Sequence, residues 1–563
     1  MIPINRTYAP VQAFVDELAR CGVEHAVTSP GSRNAPIALT LAAEERIQAH
    51  SVLDERSAGF VALGIAKASG TPVAVTCTSG TAAANLHPAV VEAHEARVPL
   101  IVMTADRPPE LRDVGAGQAI DQIELYGSAV KWFVEVGTHE PSRATAVHHR
   151  ALACRAFATA IGARPGPVHL NFALRDPLAP EPEPMAAEPW NGRLGDRPWI
   201  VVLEGPPEVQ EAAVLRVADR VGTAHRGAIV CGGPAQDPDG ILAFARATGW
   251  PVLADATSGL RRGPEDRSYV IAHYDVLLRL DGFGDRHHPD LVIRIGDTPT
   301  SKPLRAWLAG AEQIVIDPHL SWHEPTRQAG TVVRAGADLL PSLTESARPA
   351  PGEWLESWQR ANRLVLPELA ATTDPFEPKV WVAAVEASSA AAVWVASSMP
   401  IRDVEAFLPS SADPMLVLAN RGANGIDGTV SSAAGAALAQ GPVLLLTGDL
   451  ALLHDLGGLM AARRLGAELT IVCANNSGGG IFDYLPVAGA AEPGLYEEHI
   501  ATPSGIDLER VAALVGMSYA RADTPDQVRE AVRRGPGLVE APTDRARNVE
   551  LHRDLYRRVE AAL

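Results

Sequence analysis

An α/β fold, built as three doubly wound parallel-sheet domains, is what this sequence predicts, and three observations predict it. Short β-rich runs alternate with helical patterns in three successive stretches, as parallel α/β units require. Two Pro- and Glu-rich segments, 176–191 and 346–353, cannot form a packed core and read as linkers. Polar, glycine-rich loops recur at the C-terminal ends of the expected strands, where open α/β sheets bind ligands. The 563 residues suffice for three or four domains at roughly 150 residues each. The linkers place the domains at 1–180, 192–345 and 354–563.

In the first stretch an amphipathic helix is expected over 11–21, with strands near 24–28, 51–53, 73–76 and 100–104. Helices are expected between them, over 57–68 and 82–96. The middle stretch has expected strands near 200–203, 228–231, 291–295 and 313–316. The last repeats the theme near 393–396, 415–419, 443–447 and 469–474. The loops that follow these strands carry Ser29 to Arg33, Asp54 to Arg56, Ser79 to Thr81 and Asp106 to Pro108 in the first domain. In the last domain they carry Ser397 to Arg402, Asn420 to Gly422, Gly448-Asp449 and Asn475 to Gly478. The middle domain offers a thinner candidate, Asp297 to Lys302.

Composition narrows the class. Apolar residues are 47% and charged residues 21%, as in ordinary globular proteins. No apolar run approaches the ~20 residues of a membrane span. The opening MIPINRTYAP lacks a signal-peptide core, so a cytoplasmic protein without membrane association is expected. Forty-nine basic against 67 acidic residues give a net charge of −18, which argues against a nucleic-acid partner. Cys21, Cys77, Cys154, Cys231 and Cys473 are scattered without a CxxC pair. They read as reduced, buried thiols, neither a disulfide frame nor a zinc site. His287-His288 has no helpfully spaced third ligand and reads as a solvated loop. The Thr78–Thr81 turn enters a helix, whose N-terminus attracts anions or is simply well capped.

The sharpest segment is 444–482: strand, Gly-Asp, helix, strand, Asn-Asn, glycine loop. Asp449 and Asn476 each end a strand, 27 positions apart. With a carbonyl near Gly478 they offer three hard oxygen ligands, which suits Mg²⁺ held together with phosphate oxygens. The small residues let a diphosphate reach backbone N–H groups. A nicotinamide cofactor is disfavoured, because no strand is followed by GxGxxG.

This arrangement resembles the thiamine-diphosphate motif, and the three-domain layout resembles the decarboxylase branch of that superfamily. The resemblance demands a glutamate after a strand in the first domain, and Glu55 in LDERSAGF meets it. Its carboxyl is expected to hydrogen-bond N1′ of the aminopyrimidine, so that the 4′-imine can take the thiazolium C2 proton. By its residues alone, Asp54-Glu55 reads first as a helix start; the diphosphate motif beside it reverses that order. The match narrows with SPGSRNAPIALTL, LDERSAGFVALGIAKASG, TSGTAAANLHPAVVEA, TADRPPELRDVGAGQAIDQ, NRGANGIDG and NNSGGGIFDYLP, in this order. Together they resemble the 2-succinyl-5-enolpyruvyl-6-hydroxy-3-cyclohexene-1-carboxylate synthase family, densely over 24–135 and 393–486.

That resemblance implies a transferase of menaquinone biosynthesis that decarboxylates 2-oxoglutarate and adds the succinyl carbanion equivalent to isochorismate. Thiamine diphosphate and Mg²⁺, or Mn²⁺, are the implied cofactors. Asp449, Asn476 and Gly478 would hold the metal, and Gly425, Ile426, Gly448, Leu450 and Ile481 would join Glu55 in holding the cofactor. Ser32 would contact substrate; Ser398, Arg402 and Arg421 would hold the 2-oxoglutarate-derived part, and Arg33, Arg107, Gln118 and Lys302 would face isochorismate. Phe482 and Leu485, with Ile481, would give a dry wall that favours loss of a carboxylate. Two dianionic substrates need several cations, and four arginines on the expected ligand edges of an acidic chain suit them. Singly, each also suits a surface ion pair. The family implies a cofactor shared between two chains, so a homodimer is the minimum and a homotetramer is expected. Two other readings compete: another thiamine-diphosphate 2-oxoacid decarboxylase or carboligase, and a cofactor-binding protein without turnover.

Overall fold

The computed structural model describes residues 4–184, 191–203, 209–234 and 237–563. The chain divides into two compact units. The first comprises 1–204, 420–443 and 451–469, the second 205–419, 444–450 and 470–563.

The first unit is organised by strands β1 (His25–Thr28), β2 (Gln48–Ser51), β3 (Val73–Cys77), β4 (Leu100–Asp106), β5 (Phe133–Glu135) and β6 (Val168–Ala173). They run parallel in the order β2-β1-β3-β4-β6-β5. Alternation along β3 shows why both faces are covered. Val73, Val75 and Cys77 pack on one side with Phe60, Val61 and Leu63 of helix Glu55–Ser69. Ala74 turns to the other side, with Phe14, Val15 and Leu18 of helix Tyr8–Cys21. A strand buried on both faces reads as a continuous apolar run, as this one does.

Helix Thr429–Gln440 completes the unit by crossing helix Glu55–Ser69 at very short range. A Cβ on Gly64 would fall 2.0 Å from the Ser432 carbonyl oxygen, and one on Gly435 2.1 Å from that of Val61. Only glycine fits at either position.

The second unit holds two parallel sheets. One joins β7 (Gly227–Cys231), β8 (Val252–Ala254), β9 (Leu291–Ile295), β10 (Gln313–Ile316) and β11 (Ala329–Val333) in the order β11-β10-β9-β7-β8. The other joins β12 (Ala392–Val395), β13 (Leu416–Leu418), β14 (Val443–Gly448), β15 (Leu469–Asn475), β16 (Tyr519–Arg521) and β17 (Gly537–Pro542) in the order β13-β12-β14-β15-β17-β16. Glu405, fully buried on helix Met399–Phe407, ties the two sheets' layers together. It accepts from the Ala256 N–H at 2.6 Å and from the Tyr274 hydroxyl, and forms an ion pair with Arg261 at 3.2 Å. Burial, reinforced by Asp255, pushes the Glu405 acid up to about 8.

Three expectations are corrected. Residues 200–203 form no strand. The backbone donors a ladder would use are spent elsewhere: Trp199 N–H on Glu17 and Ile200 N–H on the Cys154 sulfur. The helix expected over 82–96 is two, Thr81–Asn85 and His87–Glu95, because Pro88 cannot continue the first. His287 is not a solvated loop residue. It stacks on Phe283 at 3.9 Å and reaches the Ser357 hydroxyl at 3.1 Å.

Candidate active site

On the first sheet's C-terminal edge, the loops after β1, β3 and β4 converge. Gly31 makes this possible, since a Cβ there would fall 2.3 Å from Thr78. Arg107 follows β4 and donates to the Ser79 hydroxyl at 2.7 Å. Arg33 donates to the Leu174 carbonyl at 2.7 Å, while its buried Nε has no partner. Burial and the nearby Arg107 charge lower the Arg33 pKa, against the opposing pull of Asp176 and Asp106, so two guanidinium groups share one partly desolvated edge. Such a pair calls for an anion. Gln118, at φ 55°, lies across from Gly80, with its carbonyl oxygen 3.4 Å from where a Gly80 Cβ would be. Ser32 is exposed in the turn before Arg33. The Gly80 N–H is bonded to the Gln122 side chain at 2.9 Å, so the Thr78–Thr81 turn is held from within.

Glu55 opens helix Glu55–Ser69, where Asp54 caps by accepting from the Ser57 N–H. It is half-buried, and burial with the adjoining Asp54 raises its pKa. A carboxyl so poised can share a proton with a ring nitrogen. In the same unit the loop before helix Thr429–Gln440 carries Arg421, Gly425 and Ile426. Its shape is set by Glu92, whose carboxylate accepts from the Gly422 and Ala423 N–H groups at 2.9 and 2.6 Å. Ile426 is half-buried there.

In the second unit, Asp449 follows Gly448 at the end of β14 and precedes Leu450 in the helix that starts there. Its Oδ2 accepts from the Gly478 N–H at 2.9 Å, which brings the two predicted ligand loops together. Burial raises Asp449 to about 6, against the pull of N–H bonds from Leu450 and Gly478. Asn476 donates through Nδ2 to Glu377 at 2.9 Å, while its buried Oδ1 has no hydrogen-bond partner. A desolvated carboxylate beside an orphaned amide oxygen is a donor set that fits a hard divalent cation. Gly478 adopts φ 139°, and a Cβ on it would fall 2.5 Å from the Ala501 carbonyl oxygen. The short helix Gly480–Tyr484 then presents Ile481 and Phe482, half-buried, and Leu485 is 45% exposed.

Ser398 sits at φ 75°, a strained setting for a non-glycine residue, and accepts through its carbonyl from Arg402 at 2.5 Å. Lys302 starts helix Lys302–Leu308 on the middle sheet, exposed, with no ion pair or side-chain hydrogen bond among the described residues. The structure therefore places Arg33, Arg107 and Gln118 in the first unit, and Asp449, Asn476 and Gly478 in the second, as it does Lys302.

Residues 10–125 match the thiamine pyrophosphate enzyme N-terminal TPP binding domain, 192–376 the middle domain, and 401–541 the C-terminal TPP binding domain. The chain is 43% identical to the 2-succinyl-5-enolpyruvyl-6-hydroxy-3-cyclohexene-1-carboxylate synthase of Geobacillus thermodenitrificans, covering 98% of this chain and 96% of that one. The chain belongs to this synthase family. The Myxococcus xanthus synthase is likewise 43% identical, over 98% of this chain and 97% of its own. That of Halobacterium salinarum is 41% identical, over 96% of each.

Sequence reasoning missed the residues that position the family's motif residues. Glu377 fixes the Asn476 amide, Glu92 fixes the Arg421 loop, and Gln122 fixes Gly80. Arg545, paired with Glu497 at 2.8 Å, borders Gly478 and lends its charge to Asp449. Each lies far in sequence from what it supports, so spacing gave no signal.

Proposed function

We propose that this chain is a thiamine-diphosphate-dependent synthase that decarboxylates 2-oxoglutarate and adds the succinyl unit to isochorismate, in menaquinone biosynthesis. The observation that carries the substrate class is the Arg33–Arg107 pair, two guanidinium groups on one ligand edge. Thiamine diphosphate, when bound, supplies the carbon nucleophile and electron sink that 2-oxoacid decarboxylation needs.

The chain's own residues divide the remaining work. Glu55 holds or yields a proton at the aminopyrimidine, for which burial suits it. Asp449, Asn476 and Gly478 would hold Mg²⁺ or Mn²⁺, with the buried Asn476 Oδ1 lacking another partner. Gly448 and Leu450 offer backbone to the diphosphate; Gly425, Ile426 and Ile481 hold the rings. Ser398, Arg402 and Arg421 bind the carboxylate of the 2-oxoglutarate-derived part. Arg33, Arg107, Gln118 and Lys302 orient isochorismate, and Ser32 contacts substrate. Phe482 and Leu485 exclude water. The domains are 1–180, 192–345 and 354–563, and the active assembly is a homodimer at least, with a homotetramer as the expected form. No described helix is long and apolar enough to cross a membrane.

The test is CO₂ release from carboxyl-labelled 2-oxoglutarate with thiamine diphosphate and Mg²⁺, with and without isochorismate. Acceleration by isochorismate, with succinyl carbons in the product, is expected. Release indifferent to isochorismate would favour another decarboxylase or carboligase of the superfamily. Glu55→Gln should bind cofactor measurably yet lose about 10²- to 10⁴-fold in rate.

A further inference from the structure

We propose that Cys21, Cys154 and Glu17 form a second metal site, which takes a thiophilic divalent cation of the zinc class. Cys21 ends helix Tyr8–Cys21, Glu17 lies one turn earlier, and Cys154 comes from helix Arg143–Ile161. The two sulfurs are separated by 133 residues in the chain but by 3.7 Å in space. Cys154 Sγ lies 3.4 Å from Glu17 Oε1. All three donor atoms fall within 4.8 Å of one another.

These distances match the edges of a tetrahedral zinc site. With Zn–S of about 2.3 Å and Zn–O of about 2.0 Å, the S···S edge is about 3.8 Å and the S···O edge about 3.5 Å. Two of the three donor edges thus stand near where a metal would hold them, and the third, between Cys21 and Glu17, is within 4.8 Å.

The surroundings support the same assignment. Ile200 donates its N–H to the Cys154 sulfur at 3.3 Å, and Trp199 donates its N–H to Glu17 Oε1. Arg150 donates to the other Glu17 oxygen at 2.7 Å. Metal-binding thiolates and carboxylates carry such outer hydrogen bonds, which fix their orientation. A dication would offset much of the charge of two thiolates and one carboxylate, beside the Arg150 guanidinium that Glu17 shares with Asp16 at 2.7 and 2.6 Å. A cavity of about 380 Å³ opens beside both sulfurs, bordered by Phe157, Ile161, Ile200 and Val202. It leaves room for water as a fourth ligand.

Softness separates this site from the one at Asp449. Sulfur donors select zinc-class ions, whereas the carboxylate and amide oxygens of Asp449 and Asn476 suit Mg²⁺. Cation binding at the cysteines pins residues 198–200 to two helices of the first unit. It is a clip on helices Tyr8–Cys21 and Arg143–Ile161, which carry none of the residues assigned to catalysis. The sequence hides it, because its two thiols sit on different helices with no CxxC spacing.

The experiment uses full-length protein, reduced, stripped with a chelator, then saturated with Mg²⁺ and thiamine diphosphate. Zn²⁺ is added, free metal is removed, and bound zinc is counted by elemental mass spectrometry; Co²⁺ in place of Zn²⁺ reports sulfur ligation by its charge-transfer absorption. Wild type should retain about one zinc per chain and show the thiolate band. Cys21→Ser and Cys154→Ser should each lose both, and zinc should raise the thermal midpoint of wild type alone. Equal zinc retention by the double serine variant, or none by reduced wild type, overturns the proposal. Should the serine variants misfold, alkylation of wild type decides. Zn²⁺ should protect Cys21, the half-buried thiol of the pair, from iodoacetamide, with buried Cys77, Cys231 and Cys473 as unreactive controls. Absence of protection overturns it equally.

Discussion

Replacing Glu377 with Leu should weaken the divalent cation at Asp449 and Asn476 without touching either ligand. Glu377 is 1% exposed, and one of its oxygens, Oε1, accepts from Asn476 Nδ2 at 2.9 Å and from the Thr543 hydroxyl at 3.0 Å. The first bond decides which end of the Asn476 amide is committed, and so leaves Oδ1 for the metal. With leucine at 377, Nδ2 is buried without an acceptor, and turning the amide over would offer the cation a donor in place of an oxygen. A lost buried hydrogen bond costs about 1–3 kcal/mol. At 1.4 kcal/mol per decade that is about a 5- to 150-fold loss of affinity, the range in which outer-shell substitutions at metal sites fall. Mn²⁺ titrated into the protein with thiamine diphosphate present, and followed by electron paramagnetic resonance, reads this directly. Glu377→Gln keeps an acceptor oxygen and should stay near wild type. A leucine variant with unchanged fold and Mn²⁺ affinity within about twofold of wild type would refute the reasoning.

Three further outcomes are expected. Arg107→Ala should raise KM for isochorismate about 10- to 100-fold, the worth of a charge-assisted hydrogen bond, while isochorismate-independent CO₂ release changes little; initial-rate kinetics check it. Gly64→Ala places a methyl 2.0 Å from the Ser432 carbonyl oxygen and should cost about 1–3 kcal/mol in denaturant unfolding. Glu405 has a folded-state pKa of about 8 against the usual 4.5, so its protonated form favours folding. That stability is whole below about pH 4.5 and is lost as pH rises through about 8. Glu405→Gln should flatten the decline, the gap to wild type closing by up to about 1.4 kcal/mol per pH unit inside that window; parallel denaturant curves from pH 5 to pH 9 would contradict it.

What the sequence made legible follows from range. The strands at 73–77, 100–106 and 443–448 are apolar runs ended by a polar turn, and both signals are local. So are the ligand loops, since a loop after a strand is placed by the strand. β6 escaped notice because His169 and Asn171 interrupt its apolar run, yet both are buried, bonded to the Thr104 hydroxyl at 2.8 Å each. A buried polar network looks like surface until its partner is known. The supporting glutamates are hidden for the same reason: Glu377 is 99 positions from Asn476, and Glu92 330 from Gly422. Lys302 illustrates the converse, a residue chosen by resemblance on which the geometry is silent.

The Gly64–Ser432 crossing also bears on how the chain is made. Helix Glu55–Ser69 emerges from the ribosome some 370 residues before the helix that covers it. At about 5–20 residues per second, its small-residue face waits roughly 20–70 s for Ser432 and Gly435 to be synthesised. The first sheet can form in that interval, but one face of this helix stays open to other chains. A slowed ribosome, or a stop before residue 429, would leave that face uncovered, so truncated products should seek out chaperones far more than full-length chains do.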